Sequence, residues 1–462
     1  MSGLASMRIL LVQPPIEDFY TTAIRLYPLG LLYAAAVLER AGVEVGILDC
    51  LNPLRRRTVP VPKSFSHLPA AGTRPHFFKG YYRFGLDDDE IARRVHEFAP
   101  DAVGISSQFT AYYESVEKLA RLIKQDFPRP VFIGGHHATA FAEKIRRRTP
   151  EIDFVLEGTA EASLPGWLKE LGLMPTEPTG SMLNPPSTAA DWRSLRPSHH
   201  LLGGADYKIG KRNAVSMIAG RGCPYSCDFC NVQAMFGRKM EYREAAAILD
   251  EMRWNYQMKD VKVFNFEDDN LSYDRDWFLN FLAEVSSDPI LKGIELTAMN
   301  GLCFQDLDGE RLRAMRSAGF RRLNLSLVTQ SGELRNHFGR PAPFREIEPV
   351  IRSAQQEGFL ITAYVIIGLP GQSYDEAKAG IDKLLSLGVL VGPSVFYLVP
   401  GSRLYERMSV PPGIKNDWNL YRSSAFAVET DELSRRELLD LFLYARRKNL
   451  ERLPGKIKNG DG

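Results

Sequence analysis

The sequence predicts an α/β protein: a doubly wound parallel sheet over about residues 7–171, a second series of six strand–helix units from residue 214, and a helical C-terminal segment. Three observations predict it. Short apolar, β-branched runs alternate with helical stretches, the rhythm of parallel strands covered by crossover helices. Between the two series, residues 175–212 are rich in Pro, Ser and Gly and read as a linker. The second series opens directly into RGCPYSCDFCNV, a loop that holds three of the chain's five cysteines. The expected division is 1–171, a linker over 172–212, 213–402, and a C-terminal extension over 403–462.

In the first series, RILLV (8–12) is an apolar run ended by Pro14 and Pro15, as a buried parallel strand would be. LYPLGLLYAAAVLERAG reads as a helix, with Pro28 in its first turn, Leu29, Leu32, Ala36 and Leu38 on one face, and Gly42 at its end. VEVGILDC is the second strand, DDDEIARRVHEFAP a helix with acids in its first turn, and DAVGISSQ the third strand. YYESVEKLARLIKQDFP is a helix, PVFIGGHHA a fourth strand with a glycine turn, and IDFVLEG a fifth. Residues 55–79 carry several prolines and little periodicity and read as an inserted loop.

In the second series the strands are VSMIAG, VKVFNFEDDN, GIELTAMNG, RRLNLSLVTQS, LITAYVIIGLPGQS and PSVFYLVPGS. Helices lie between them over 244–256, DWFLNFLAEVSS, LDGERLRAMRSAG, FREIEPVIRSAQQEG and YDEAKAGIDKLLSLG. Val263, Phe264 and Leu325 read as core. ELSRRELLDLFLYARRKNLERL is an amphipathic helix suited to capping the second unit.

Composition excludes several classes. At 462 residues there is room for two or three domains with full cores. Lys and Arg number 58 against 56 Asp and Glu, a net +2 that asks for neither nucleic acid nor an acidic membrane. The sequence offers no basic groove with interleaved aromatics. The basic runs 55–57 and 146–148 read as solvated surface. No apolar run of about 18 residues is present to span a bilayer, and the N-terminus lacks a signal-peptide pattern. Five cysteines, three of them clustered, make no disulfide framework. Reduced cysteines point to the cytoplasm.

Cys223, Cys227 and Cys230 have C-x3-C-x2-C spacing. Three thiolates in one turn-rich loop suit a soft, multi-iron centre; a 4Fe–4S cluster so held keeps one iron without a protein ligand, open to a small molecule. Closed structural zinc needs a fourth Cys or His, and none lies in or just after the loop. A redox or structural cluster is the alternative. The spacing, with Phe229 at the aromatic position before the last cysteine, resembles the CxxxCxΦC motif of the radical S-adenosylmethionine (radical SAM) superfamily. That resemblance implies that SAM chelates the open iron and that one electron from the cluster splits it into methionine and a 5′-deoxyadenosyl radical. It implies further that the six units form a partial (β/α)6 TIM-type barrel, with chemistry at the carboxyl strand ends. An external one-electron reductant such as flavodoxin or ferredoxin is also implied.

Ligands of doubly wound sheets bind at carboxyl strand ends. Here those ends read Pro14–Pro15, Ser106–Ser107, Gly134–Gly135–His136 and Glu157–Gly158, and no G-x-G-x-x-G supports a dinucleotide site. QPP, YPLGLLYAAAVLERAG, KGYYRFG, PDAVGISS and IGGHHAT, in that order before the cysteine loop, resemble the Rossmann-like cobalamin-binding domain found in front of many radical SAM enzymes. The resemblance makes those strand ends, with Tyr27, the cobalamin-binding residues. Many cobalamin proteins carry D-x-H-x-x-G, whose histidine binds cobalt from below. IEDFYTTAIRLYPLG has no histidine, so cobalamin is expected without one. His136 and His137 suit the nucleotide tail, and His67, His76, His96 and His337 read as surface.

Glu267, Asp268 and Asp269 close the second strand of the second series, where the family places a G-G-E motif that receives the SAM ammonium; FEDD stands in its place. By position, Ser326 and Thr329 are candidates for SAM's ribose or carboxylate, and Ile366 and Gly368 for its adenine, with Gly371 allowing the tight turn. Cys303 reads as inert or as a covalent carrier, and Cys50 as core. Tyr27, Tyr112, Tyr364 and Tyr397 are candidates for lining a substrate cavity. In members that methylate, cob(I)alamin takes a methyl group from one SAM and a second SAM yields the radical. The radical removes hydrogen from an unactivated carbon, which then takes methyl from methylcobalamin. The expectation is a cobalamin-dependent radical SAM C-methyltransferase acting on a small-molecule, lipid or peptide substrate. The alternatives are the same architecture catalysing cyclisation, rearrangement or oxidation, and a non-catalytic cobalamin sensor. Methylthiotransferases carry a second cysteine set that Cys50 alone does not supply.

Overall fold

The computed structural model describes residues 7–20, 27–69, 78–171, 191–202, 207–340 and 346–452. Of the expected linker, 172–190 and 203–206 lie outside the described residues, as does His76. Met1–Ser64 with Phe78–Asn213 form one compact unit, and Phe65–Phe77 with Ala214–Gly462 a second.

In the first unit the elements are β1 (Arg8–Gln13), α1 (Leu29–Arg40), β2 (Glu44–Asp49), α2 (Asp88–Phe98), β3 (Ala102–Ser106), α3 (Tyr113–Asp126), β4 (Val131–Gly134), α4 (His136–Arg148), β5 (Phe154–Leu156) and α5 (Ala160–Glu170). The five strands are parallel in the order β2-β1-β3-β4-β5. Ile9, Leu10, Leu11 and Val12 are all buried, because a central parallel strand has no solvent face. Strand order reverses between β1 and β3, so the ligand crevice of this sheet lies over Gln13–Pro14–Pro15 and Ser106–Ser107.

Two features differ from the sequence reading. Part of the expected 55–79 loop is a strand: Arg56–Val59 pairs antiparallel with Tyr81–Phe84, which pairs with Ile16–Asp18. Its exposed, charged RRT start has the character of a protected edge and carries no apolar alternation to read. Helix α5 was hidden by Pro165 inside it.

In the second unit follow β6 (Arg212–Met217), α6 (Ala245–Lys259), β7 (Val263–Phe266), α7 (Arg275–Ser287), β8 (Glu295–Thr297), α8 (Gly309–Ala318), β9 (Arg322–Val328), α9 (Ile347–Gln356), β10 (Leu360–Ile367), α10 (Tyr374–Ser386), β11 (Leu390–Val395) and α11 (Arg435–Arg452). Strands β6–β7–β8 pair in parallel, as do β9–β10–β11, and a parallel bridge from Leu296 to Phe320 joins the two sets. This is the open, six-stranded barrel wall. On β10, Ile361, Ala363, Val365 and Ile367 are buried, while Thr362, Tyr364 and Ile366 on the opposite face are only partly so.

The last strand runs over 390–395, where the sequence reading had 393–402. Gly388, at φ +82°, ends α10, and the strand starts at once. At this edge the Val391 and Val395 amides bond to the side chains of Asn449 and Ser423, so Pro393 between them removes no ladder bond.

Candidate functional site

Strand β6 aims the chain into the cysteine loop, and a short clasp closes its base: Gly220–Arg221 pairs antiparallel with Glu241–Tyr242. Gly222, at φ +90°, has to be glycine, since a Cβ there would lie 2.3 Å from the Lys239 carbonyl oxygen. Two distant segments grip the far side. Phe338 accepts from the Asp228 amide at 3.0 Å, and the Phe338 ring meets Phe229 edge-on with centroids 6.0 Å apart. The Leu404 amide donates to Asp228 O at 2.8 Å, Asn231 Nδ2 donates to Pro400 O at 3.0 Å, and the Asp228 carboxylate pairs with Arg403 and Arg407.

The three thiols lie close enough to feel one another's charge. Burial first, then Cys230, Cys227 and Asp269, pushes the Cys223 thiol up to about 12. Cys230 opens to solvent yet is ringed by protein, and burial raises it to about 11. Arg340 stands against them, with Nη1 3.6 Å from Cys227 Sγ and Nη2 donating to Ser326 O at 3.1 Å. Three thiols on one loop, with iron displacing their protons on binding, are a donor set that fits a thiolate-held iron–sulfur cluster.

The FEDD run works differently from its sequence reading as a set of three acids facing SAM. Asp268 is buried, accepts from the Ala219 and Gly220 amides at 3.0 and 2.5 Å, and is raised by burial to about 7. Asp269 is exposed at its surface, accepts from the Gly222 amide, and is raised to about 6 chiefly by desolvation from the surrounding protein. These two fasten the backbone that leads into Cys223. Glu267 remains on the open face, accepting from Ser216 Oγ at 3.1 Å, from Asn265, and from Asn300 Nδ2 at 2.6 Å.

Ser326 shares the partly exposed face, paired with Cys303 on one side and Tyr364 on the other. Thr329 does not, which corrects the sequence reading. A bulge between Ser326 and Val328, with Val328 at φ +75°, breaks the alternation; Thr329 is buried and donates to Glu376 of α10 at 2.5 Å. Gly368 serves packing: a Cβ there would lie 2.8 Å from Leu438 of α11. Cys303 is buried, its thiol raised to about 11 chiefly by burial. Tyr112 donates to Asp18 Oδ2 at 2.6 Å within a core cluster with Ile16, Leu51 and Phe84.

In the first unit the predicted strand ends do converge. Gly135, at φ +117°, turns β4 straight into α4, with Ser107 O 2.8 Å from where its Cβ would sit. The Ser107 amide donates to Gly134 O at 2.8 Å, while the Ser107 hydroxyl is buried with no hydrogen-bond partner among the described residues. A Cβ on Gly134 would meet only Leu156 O, at 3.8 Å, and one on Gly158 would meet nothing within 4 Å. An orphan hydroxyl beside bare backbone is a floor that fits a large ligand such as cobalamin. Glu157 pairs with Arg146 at 2.9 Å, and Tyr27 bonds His199 Nδ1 at 2.6 Å. His136 starts α4, whereas His137 is core: its ring packs 4.7 Å from Tyr113, and burial lowers it to about 3, so it stays neutral.

Residues 217–384 match the family model of the radical SAM superfamily, and 76–168 match that of the B12 binding domain. Cytidylyl-2-hydroxyethylphosphonate methyltransferase of Streptomyces wedmorensis is 26% identical over 81% of this chain and 76% of its own. Anaerobic magnesium-protoporphyrin IX monomethyl ester cyclase of Synechocystis sp. is 24% identical over 77% of this chain and 68% of its own. The structure of the radical SAM methyltransferase TsrM from Kitasatospora setae, with cobalamin and a 4Fe–4S cluster bound, is similar in fold at TM-score 0.62 and 16% identity, covering 87% of this chain and 74% of that one.

Proposed function

This chain belongs to the cobalamin-dependent radical SAM enzymes, and from that premise we propose that it is a C-methyltransferase acting on an unactivated carbon. The observation that carries the reading is the loop of Cys223, Cys227 and Cys230 at a barrel strand end, in a chain that also has a B12-binding domain. On this reading 1–171 binds cobalamin, 172–212 links, 213–402 is the barrel and 403–462 its helical extension.

When bound, SAM on the cluster supplies a 5′-deoxyadenosyl radical and cobalamin supplies the methyl group. The chain's own part is placement and shielding, since a free radical reacts indiscriminately. Cys223, Cys227 and Cys230 hold the irons on a loop fixed by Asp268 and Asp269. Glu267, already the focus of three side-chain donors on the open face, is the acid we assign to SAM's ammonium. Ser326 and Ile366 share the partly exposed face and are assigned to the ribose and adenine. Ser107, Gly134 and Gly158 would hold cobalamin, which would supply the methyl group there.

Among the described residues no helix is long and apolar enough to cross a membrane. We place the protein in the cytoplasm, with flavodoxin or ferredoxin as electron donor. The substrate class remains a small molecule, lipid or peptide.

The test is anaerobic. Protein loaded with iron, sulfide and cobalamin, then reduced with SAM and a true substrate, yields 5′-deoxyadenosine, S-adenosylhomocysteine and a methylated product together. Deoxyadenosine alone refutes C-methylation and favours the ring-forming chemistry named for the Synechocystis relative.

Two variants probe the cobalamin site. Gly134→Ala has room for its Cβ within the fold, so melting is unchanged while cobalamin affinity falls about tenfold, or ~1.4 kcal/mol. Unchanged affinity would move cobalamin off this strand end. His136→Ala leaves the cobalt ligand-field spectrum as it was; loss of an axial-base signature would overturn the histidine-free assignment.

A further inference from the structure

Arg340 is partly buried beside the cysteine loop and makes no ion pair with a carboxylate among the described residues. Its neighbours contrast with it, since Arg403 and Arg407 share the Asp228 carboxylate. Burial acts first on its charge and lowers its pKa; the thiols of Cys227, Cys303 and Cys223 act next and outweigh it. Its position is fixed: the backbone amide bonds to Arg335 O at 3.0 Å, and Nη2 to Ser326 O at 3.1 Å. Gly339 allows the approach, at φ +66° with Ser226 O 2.6 Å from where a Cβ would sit.

A guanidinium does not shed its proton, and a buried charge without a counter-charge is strongly unfavourable. The nearest described group able to supply a counter-charge is the Cys227 sulfur, 3.6 Å from Nη1. A 4Fe–4S core in its oxidised 2+ state with three thiolates carries one net negative charge, and two after it takes up an electron. A fixed positive charge favours the more negative state.

We propose that Arg340 is a positioning residue that supplies the cluster's counter-charge and raises its reduction potential, so that a one-electron donor of the flavodoxin or ferredoxin kind can load it. The step is a bare electron transfer: the donor is oxidised by one electron, the core is reduced by one, and no bond or proton moves. The inference rests on the radical SAM reading of the cysteine loop.

The experiment uses the full chain loaded with iron and sulfide, without SAM. Wild type, Arg340→Gln and Arg340→Lys are assayed for iron and sulfide, then titrated with the reduced cluster followed by electron paramagnetic resonance. In Arg340→Gln the ratio of reduced to oxidised cluster at a fixed poise falls at least tenfold, about 59 mV for one electron, and Arg340→Lys stays near wild type. Cluster loss in the Gln variant but not in the Lys variant supports the same conclusion through retention.

A wild-type potential in Arg340→Gln overturns the proposal. Cluster loss in both variants also overturns it, because shape rather than charge is then at work. Wild-type protein that assembles no cluster sinks the radical SAM reading itself, a result distinct from either variant's.

Discussion

Cys227→Ala brings 5′-deoxyadenosine formation down to background, and so do Cys223→Ala and Cys230→Ala. Each removes one of three thiolates from a site with no fourth cysteine in the loop, so the cluster loses its hold while the fold does not. The loop's shape is kept by other means: the Asp268 bonds to Ala219 and Gly220, the Asp228 amide on Phe338, and the Leu404 amide on Asp228. Melting temperature therefore stays close to wild type as iron content drops. Cys303→Ala is the informative control. Its thiol is buried and in register with Ser326, near the triad yet outside the loop, so iron content and deoxyadenosine formation persist. Loss of iron in Cys303→Ala would mean that the ligand set has been drawn wrongly.

The cysteines were legible because all their information is local: residue type, spacing and a turn-rich loop within eight positions. The parallel strands were legible for a similar reason, since burial on two faces writes a continuous apolar run such as Ile9–Leu10–Leu11–Val12. What holds the loop was not. Arg340 reaches Cys227 across 113 positions and Arg407 reaches Asp228 across 179, and a surface-type arginine bears no mark of such a partner. The FEDD run was found by position but not by direction, because sequence does not say that Asp268 and Asp269 turn back to the amides of 219, 220 and 222. Thr329 failed for a sharper reason. One bulge reverses the side-chain alternation that its assignment relied on.

Arg243→Met lowers stability by about 3–5 kcal/mol, the usual result of leaving a buried charge without its partner. Arg243 and Glu251 are both fully buried and paired at 2.7 Å. Arg243 also donates through Nη1 to Ile218 O at 3.1 Å and through its amide to Ala219 O at 2.8 Å, while its carbonyl accepts from Trp277 Nε1 at 3.1 Å. One residue thus ties the turn before the cysteine loop to α6 and α7. Methionine keeps the backbone bonds but takes the guanidinium away from the Glu251 carboxylate and the Ile218 carbonyl. The double variant Arg243→Met/Glu251→Leu removes that carboxylate as well and recovers most of the loss, since a buried pair replaced by apolar residues is often close to neutral. About 1–3 kcal/mol stays lost to the unsatisfied Ile218 carbonyl. Denaturant midpoints followed by cluster absorbance read both effects on the loaded chain. Should the double variant be no more stable than the single one, the carbonyl bond would outweigh the charge. The turn at 218–220 would then depend on Arg243 as a hydrogen-bond donor, with Asp268 gripping the same turn through its amides.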